Sequence, residues 1–177
     1  MISSNSAVIL GIVSIVLLPI ISLAQVTKED LPAQLQYILE SDLETWEPLP
    51  ELSKAFPYYL SGFDSENRPI WVVEVGKWDI RTILERGEKW EKLFDKFMDK
   101  WLWRVINSTK TKATEDSPVT ELDLIIDADG MDYRQLSSPK AVGYALKKLR
   151  TLAQALPMAH GMYIVNANFV AKNAINL

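Results

Sequence analysis

The sequence predicts an α/β protein with an at least partly parallel sheet. Three short apolar runs have the character of strands, Ile70–Val75, Glu121–Asp127 and Met162–Ala167, and each precedes a helical pattern or the opening of one. Alternating strands and helices favour parallel pairing with right-handed helical crossovers. The 177 residues, 48% hydrophobic and 24% charged, are most simply one globular domain.

The segment before the first strand is expected to pack on the core rather than to form a domain. It has a short helical pattern, "KEDLPAQLQYILES", and then the proline-broken "WEPLPELSKAFPYYL". The following "SGFDSENRP" is rich in turn formers, and Pro69 permits a strand to begin. Glu74 lies within that strand, so we expect it to pair with a basic residue or to lie at the sheet edge.

The clearest predicted helix begins near Arg81. Its apolar residues recur at steps of three and four, which is the period of one helical face. They are Trp90, Leu93, Phe94, Phe97, Met98, Trp101, Leu102 and Val105. The opposite face is charged and includes Glu88 and Lys92, a favourable i,i+4 pair.

The second strand alternates, so that Leu122, Leu124 and Ile126 share one face. A second helix is predicted next, because Ser138 and Pro139 suit the N-cap and the first helical position. We expect its apolar residues to face inward: Val142, Ala145, Leu146, Leu149, Leu152, Ala153 and Leu156. The third strand follows, and residues 169–177 have the pattern of an opening helix.

Composition excludes several kinds of chemistry. A formal net charge of -4 and a pI near 5.1 argue against nucleic acid as a partner, which needs a basic face. Because the chain has no cysteine and only one histidine, thiolate catalysis and zinc sites built on sulfur or histidine clusters are excluded. His160 is expected to be a surface or loop residue. No metal, cofactor or catalytic residue is predicted.

The N-terminus has the pattern of a targeting segment. Residues 7–25 are almost entirely apolar, and Ser22, Leu23 and Ala24 give the small-x-small pattern of a signal-peptidase site. We therefore predict a signal peptide over residues 1–24, with an uncleaved signal anchor as the alternative. A genuine signal implies the secretory pathway or an extracellular location. If the chain enters that pathway, Asn107 begins a glycosylation sequon. The surrounding polar stretch has the composition of a loop, and an unmodified loop is the alternative.

Two aspartates at the end of the second strand permit two interpretations. Asp127, Asp129 and Gly130 resemble the DxDG motif of haloacid-dehalogenase-type phosphatases, in which the first aspartate attacks phosphorus beside a magnesium ion. Such an enzyme needs a further acidic segment, and none follows Gly130. The favoured interpretation is a strand end in which carboxylates accept backbone hydrogen bonds.

Three segments together resemble the CRAL-TRIO lipid-binding domain, a family of phospholipid-transfer, retinaldehyde-binding and tocopherol-transfer proteins. The first is "DSENRPIWVVEVGKWD", which resembles the family's entry into a strand. The second is "LDLIIDADGMDYRQLSSP", with its strand-D-x-x-G pattern, and the third is "LPMAHGMYIVNANFVAKNAI", with its strand-N-A pattern. Asn168 stands where the family usually has proline, and Lys147 lies near the position of the phosphoinositide-binding glutamate.

The resemblance implies a three-layer fold with a mixed, largely parallel sheet and flanking helices, incomplete at the C-terminus. Residues 25–45 would be an N-terminal lead-in and residues 46–177 the partial lipid-binding domain. It also implies a non-catalytic protein that binds a hydrophobic small molecule or lipid in an apolar cavity and works at a membrane surface. The alternative location is then cytoplasmic and membrane-peripheral, as in the family.

Six apolar residues are the candidates for ligand contact in such a cavity: Trp71, Val73, Leu122, Leu124, Ile126 and Phe169. Two other functions stay open. One is a secreted or membrane-anchored interaction module that binds no ligand, and the other is the magnesium-dependent phosphatase.

Overall fold

The fold is built on a four-stranded mixed sheet. The computed structural model describes residues 25–175. The strands are β1 (Tyr58–Phe63), β2 (Pro69–Val73), β3 (Leu122–Asp127) and β4 (Ala159–Val165), and they lie in this order across the sheet. β1 is antiparallel to β2, whereas β2, β3 and β4 are parallel. The predicted largely parallel α/β sheet is confirmed.

Six α-helices flank the sheet in the described part of the chain. They are α1 (Pro50–Ala55), α2 (Ile80–Glu85), α3 (Glu88–Asn107), α4 (Tyr133–Leu136), α5 (Pro139–Leu152) and α6 (Phe169–Ile175). Short 3₁₀ helices occupy Ala33–Leu39, Val75–Lys77, Ser108–Lys110 and Ala153–Met158. Between residues 25 and 175, no helix combines the length and the apolar character needed to cross a membrane.

The long amphipathic helix is confirmed, and it forms the centre of the core. Phe94, Phe97 and Trp101 of α3 are buried, and the Phe56 ring lies 4.3 Å from the Phe94 ring. The helix does not run without interruption from Arg81, because Gly87 separates α2 from α3 with a φ of 95°. That left-handed conformation favours glycine, so the chain turns there.

The N-terminal segment packs on α3, as predicted. Its 3₁₀ helix buries Leu35 and Ile38. A buried lysine on α3 holds the segment: the Lys100 ammonium donates hydrogen bonds to the carbonyl oxygens of Leu43 (2.6 Å) and Glu44 (3.1 Å). Burial lowers the pKa of Lys100.

Around the first central strand, one prediction was wrong and one strand was missed. β2 ends at Val73, and Glu74 lies outside it, where its carboxylate pairs with Lys77 at 2.7 Å. The expected pairing is therefore confirmed, although the strand position is not. The antiparallel strand β1 was not predicted, because its middle residues are exposed and its register shifts between Leu60 and Gly62.

The sequon does not lie in a loop, as the sequence had indicated. Asn107 is the last residue of α3, and Ser108 and Thr109 are buried in the following 3₁₀ turn. The Thr109 hydroxyl donates to the carbonyl oxygen of Ile106 at 2.9 Å, and the Ser108 hydroxyl accepts from the indole of Trp71. Glycosylation of Asn107 stays a prediction.

The second helix begins as predicted but does not bury the expected face. The Ser138 hydroxyl accepts from the Ala141 amide, and Pro139 is the first helical residue. The inward prediction was wrong for Leu146, Leu149 and Leu156, which are 44%, 58% and 50% exposed. These leucines border an open pocket instead of a closed core.

His160 lies in β4 rather than in a loop, although its side chain is exposed as expected. Its Nδ1 lies 3.1 Å from a carboxylate oxygen of Asp123, a buried residue of β3. The pair links the two parallel strands near their first residues.

Candidate ligand pocket

One face of the sheet forms the floor of the pocket. Alternation along the strands places every second side chain on the same face. The parallel register aligns Val73 with Ile126 and Leu124 with Met162, so these four residues lie in two neighbouring rows of the same face across three strands. All four line the pocket.

Two helices form the walls above this floor. The pocket has a volume of about 580 Å³, within the range typical of small-molecule sites. From α3 the walls are Phe94, Met98, Trp101, Leu102 and Val105, and from α5 they are Ala141, Val142, Ala145, Leu146, Leu149 and Leu152. The lining is therefore almost entirely hydrocarbon and aromatic.

Gln135 lies in the lining, and its side chain is fully engaged by hydrogen bonds. Its amide nitrogen donates to the carbonyl oxygens of Gly76 and Trp78, both at 3.0 Å. Its side-chain oxygen accepts from the backbone amide of Asp132 at 2.7 Å, which completes a capping box at the start of α4. Gln135 thus fastens α4 to the turn after β2 and offers no free polar group.

The positive charge of Lys148, which also lies in the lining, is compensated by acidic side chains. Lys148 of α5 lies 2.6 Å from a carboxylate oxygen of Asp95 and 3.7 Å from one of Asp99 on α3. The hydroxyl of Tyr144 donates to Asp95 at 2.8 Å. Burial, together with the bond to Asp95, raises the pKa of Tyr144, so this phenol stays a proton donor. These contacts hold α5 against α3.

The strand-end aspartates form a turn, as the favoured interpretation predicted. Asp127 Oδ1 accepts from the backbone amide of Asp129 (3.0 Å) and from the side-chain amide of Asn166 (2.9 Å). The bonds from Asn166 and Asp129 lower the pKa of Asp127. Gly76 packs against this turn so closely that a Cβ there would lie 1.9 Å from the Asp129 carbonyl oxygen. Within residues 25–175, no three acidic or histidine side chains are placed to hold a metal ion.

The structure brings together most of the predicted ligand-binding residues. Val73, Leu122, Leu124 and Ile126 line the pocket. Trp71 does not, since it is buried beneath the end of α3, where its indole donates to Ser108 at 2.9 Å. Phe169 begins α6, is 81% exposed and is also outside the lining. Ligand contact by these six residues stays a prediction.

The helical walls of the pocket were not predicted as part of the site. Trp101, Met98 and Ala145 were assigned to apolar helix faces, and a period of three and four is the same whether a face meets a core or a pocket. The predicted signal peptide over residues 1–24 lies outside the described residues.

Comparison with known proteins agrees with the motifs and the fold. The CRAL/TRIO domain matches residues 53–177, which is more than half of the chain. No curated protein matches the chain. A mixed, mostly parallel sheet with flanking helices is the fold expected of this domain. The chain therefore belongs to the CRAL/TRIO domain family.

Proposed function

We propose that the protein binds a hydrophobic small molecule or lipid in the pocket between the sheet, α3 and α5, and transfers it without catalysis. A CRAL/TRIO domain indicates binding or transfer of a lipid or small hydrophobic ligand, and the family is generally non-catalytic. The observation that carries the proposal is a pocket of about 580 Å³ with an almost wholly apolar lining. Burial of an apolar ligand there would contribute roughly 25 cal/mol per Å².

The polar groups of the lining favour a ligand whose buried portion is uncharged. Lys148 is neutralised by Asp95 and Asp99, and the hydrogen-bonding groups of Gln135 are already used. A charged headgroup placed inside would lose its hydration without gaining a free counter-ion. We therefore place hydrocarbon in the pocket and any charged group at its opening.

A pocket-filling substitution tests this function. Ala145→Trp on α5 adds a large ring to the wall of the pocket, so it should abolish ligand binding while the fold persists. Gln154→Trp adds the same ring at an exposed position outside the lining and serves as the control. Binding is followed as the rise in thermal unfolding temperature with a panel of sterols, retinoids, tocopherols and phospholipids. A normal rise in Ala145→Trp would contradict the proposed site.

The second candidate function is that of an interaction module without ligand, secreted or membrane-anchored. It is supported by β4, in which Met162, Tyr163, Ile164 and Val165 are all exposed. No strand within residues 25–175 pairs with the outer edge of β4, and such an edge can accept a strand from a partner. A monodisperse protein that carries no extractable lipid and gains no stability from any ligand would favour this function.

The phosphatase alternative gains no support from the geometry. Oδ1 of Asp127, the expected nucleophile, accepts hydrogen bonds from the side-chain amide of Asn166 and the backbone amide of Asp129, as in a structural turn. Activity on a generic phosphate ester that disappears in Asp127→Asn would be needed to revive it.

A further inference from the structure

The polar contacts between α5 and α3 follow the same spacing on both helices. On α3 they involve three acids that lie four residues apart: Glu91, Asp95 and Asp99. On α5 they involve three residues with the same spacing: Lys140, Tyr144 and Lys148. Residues four apart lie on one face of a helix, so each set forms a row. We call these six residues the polar ladder, which joins α5 to α3 beside the pocket.

Asp95 is the centre of the polar ladder, because its carboxylate binds two residues of α5 at once. Oδ1 of Asp95 accepts a hydrogen bond of 2.8 Å from the hydroxyl of Tyr144 and lies 2.6 Å from the ammonium nitrogen of Lys148. Tyr144 is buried, and the side chain of Lys148 is only 15% exposed. Hydrogen bonds to a charged group are stronger where water reaches them poorly than they are at the surface.

The outer contacts of the polar ladder contribute less. The pair of Lys140 with Glu91 spans 2.9 Å, but the lysine side chain is 56% exposed, so water screens the pair. Asp99 lies 3.7 Å from the Lys148 nitrogen and also accepts a hydrogen bond of 3.0 Å from Tyr37 of the N-terminal segment. The polar attachment of α5 to α3 therefore depends chiefly on Asp95.

The two halves of α5 differ in what else holds them. In the first half, Ala141 is buried and the Lys140 ammonium donates to the carbonyl oxygen of Leu84 in α2 at 3.2 Å. In the second half, Leu146 and Leu149 line the pocket and are 44% and 58% exposed. Side chains that border an open pocket make few contacts that resist displacement. The second half of α5 is therefore the part that the polar ladder must hold in place.

We propose that Asp95 is a positioning residue that sets the rate of ligand exchange. While its contacts with Tyr144 and Lys148 are made, the second half of α5 stays against α3 and the pocket keeps its width. When both contacts open, this half of the helix moves outward and a hydrophobic molecule passes, whereas the first half remains on α2. Movement of one packed element can limit the rate at which a site exchanges its ligand. The proposal rests on the proposed function, because it concerns entry and exit through the same pocket.

Release of a bound dye from the full-length chain tests the proposal. Nile red, an uncharged hydrophobic fluorophore, is loaded, and its transfer to excess cyclodextrin is followed after rapid mixing. Asp95→Ala removes the acceptor of both contacts with α5, so release should be about tenfold faster than in the wild type. Glu88→Ala is the matched control. It removes an equal charge from an exposed position of α3 outside the polar ladder and should release dye like the wild type.

A double variant shows whether release depends on the contact between Asp95 and Lys148. Lys148→Met keeps the aliphatic chain but removes the ammonium group that Asp95 binds, so it should speed release by a smaller factor than Asp95→Ala. Asp95→Ala/Lys148→Met should release dye no faster than Asp95→Ala, because the second change removes a contact that is already lost. Factors that multiply in the double variant would mean that the two residues act separately, against the proposal.

Hydrogen exchange of the protein without dye gives a second readout, which needs no ligand. In Asp95→Ala, the amides of residues 147–152 in the second half of α5 should exchange faster. The Val142 amide, which bonds to the Ser138 carbonyl oxygen at 2.9 Å in the first half, should exchange as in the wild type. Equal acceleration in both halves would indicate that the whole helix loosens, which contradicts the assigned movement.

Three outcomes distinguish failure of this proposal from failure of the proposed function. Dye that binds the wild type but not Ala145→Trp, with equal release from Asp95→Ala and Glu88→Ala, would overturn the role of Asp95 alone. Faster hydrogen exchange in the second half of α5 without faster release would do the same, since Asp95 would then only stabilise the helix. A wild-type protein that takes up neither the dye nor any ligand of the panel would contradict both.

Discussion

The side-chain amide of Asn166 donates a hydrogen bond of 2.9 Å to Asp127 and thereby joins the ends of β4 and β3. Asn166 adopts a left-handed backbone conformation with φ of 53°, which asparagine tolerates better than most residues. The same Asp127 oxygen accepts from the Asp129 amide. One carboxylate therefore fixes both the turn after β3 and the start of the segment that leads to α6.

Removal of this carboxylate should destabilise the fold. Asp127→Ala removes the acceptor of the Asn166 and Asp129 donors, which are exposed and can bond to water instead, so we expect a loss of about 0.5 to 1.5 kcal/mol in the free energy of unfolding. Asp129→Ala, at an exposed neighbouring position, should change it by less than about 0.5 kcal/mol. Urea denaturation measures both, and equal values for the two variants would contradict the assigned role.

The contribution of Asp127 to the free energy of unfolding should also depend on pH. Its pKa in the folded protein lies below the ordinary value of 3.8, because the bonds from Asn166 and Asp129 favour the carboxylate. The stabilisation is therefore complete above the unfolded-state pKa and is lost as pH falls through the folded-state pKa. The stability difference between wild type and Asp127→Ala should be constant from about pH 7 to pH 5 and should shrink toward about pH 3. A difference that grows with acidity would oppose this account.

Gly76 is predicted to be indispensable for local packing rather than for backbone flexibility. A Cβ at this position would lie 1.9 Å from the Asp129 carbonyl oxygen, so Gly76→Ala must displace the turn after β3. We expect a loss of about 3 kcal/mol or more in the free energy of unfolding. Gly143→Ala is the matched control: it lies on α5 with nothing within 4 Å and should stabilise by up to about 1 kcal/mol. Thermal unfolding of the two variants should shift in opposite directions.

Lys100 should control the attachment of the N-terminal segment. Lys100→Met keeps the buried aliphatic chain but leaves the carbonyl oxygens of Leu43 and Glu44 without their donor. The expected cost is about 1 to 3 kcal/mol. Faster hydrogen exchange should appear first at the amide of Trp46, which bonds to the Asp42 carbonyl oxygen at 2.9 Å. Lys89→Met, at an exposed position of the same helix, should leave that exchange unchanged.

The sequence predicted the central elements because their periods are unambiguous. β3 and α3 have the alternation and the three-and-four spacing of half-buried elements, and Ser138 with Pro139 identified the start of α5. β1 escaped prediction because an exposed strand beside a proline and a bulge has no alternation to detect. Its assignment depends on pairing with β2, which is a tertiary contact.

The sequence predicted the residues on the floor of the pocket but not which other residues line it. Alternation correctly placed Leu122, Leu124 and Ile126 on one face, and the structure shows that this face lines the pocket. The same reasoning included Trp71. Alternation predicts on which face of the sheet a side chain lies but not which residues it contacts, and the end of α3 covers Trp71. Leu149 shows the converse error, since an inward helical face can border a pocket instead of a packed core.

The most direct test of the account is native mass spectrometry of the purified full-length chain, followed by organic extraction. We predict a stoichiometric mass increment from a hydrophobic molecule that the solvent releases, and no such increment in Ala145→Trp. A folded, monodisperse wild-type protein that is empty, and that stays empty after incubation with sterols, retinoids, tocopherols and phospholipids, would contradict the proposed ligand-binding function.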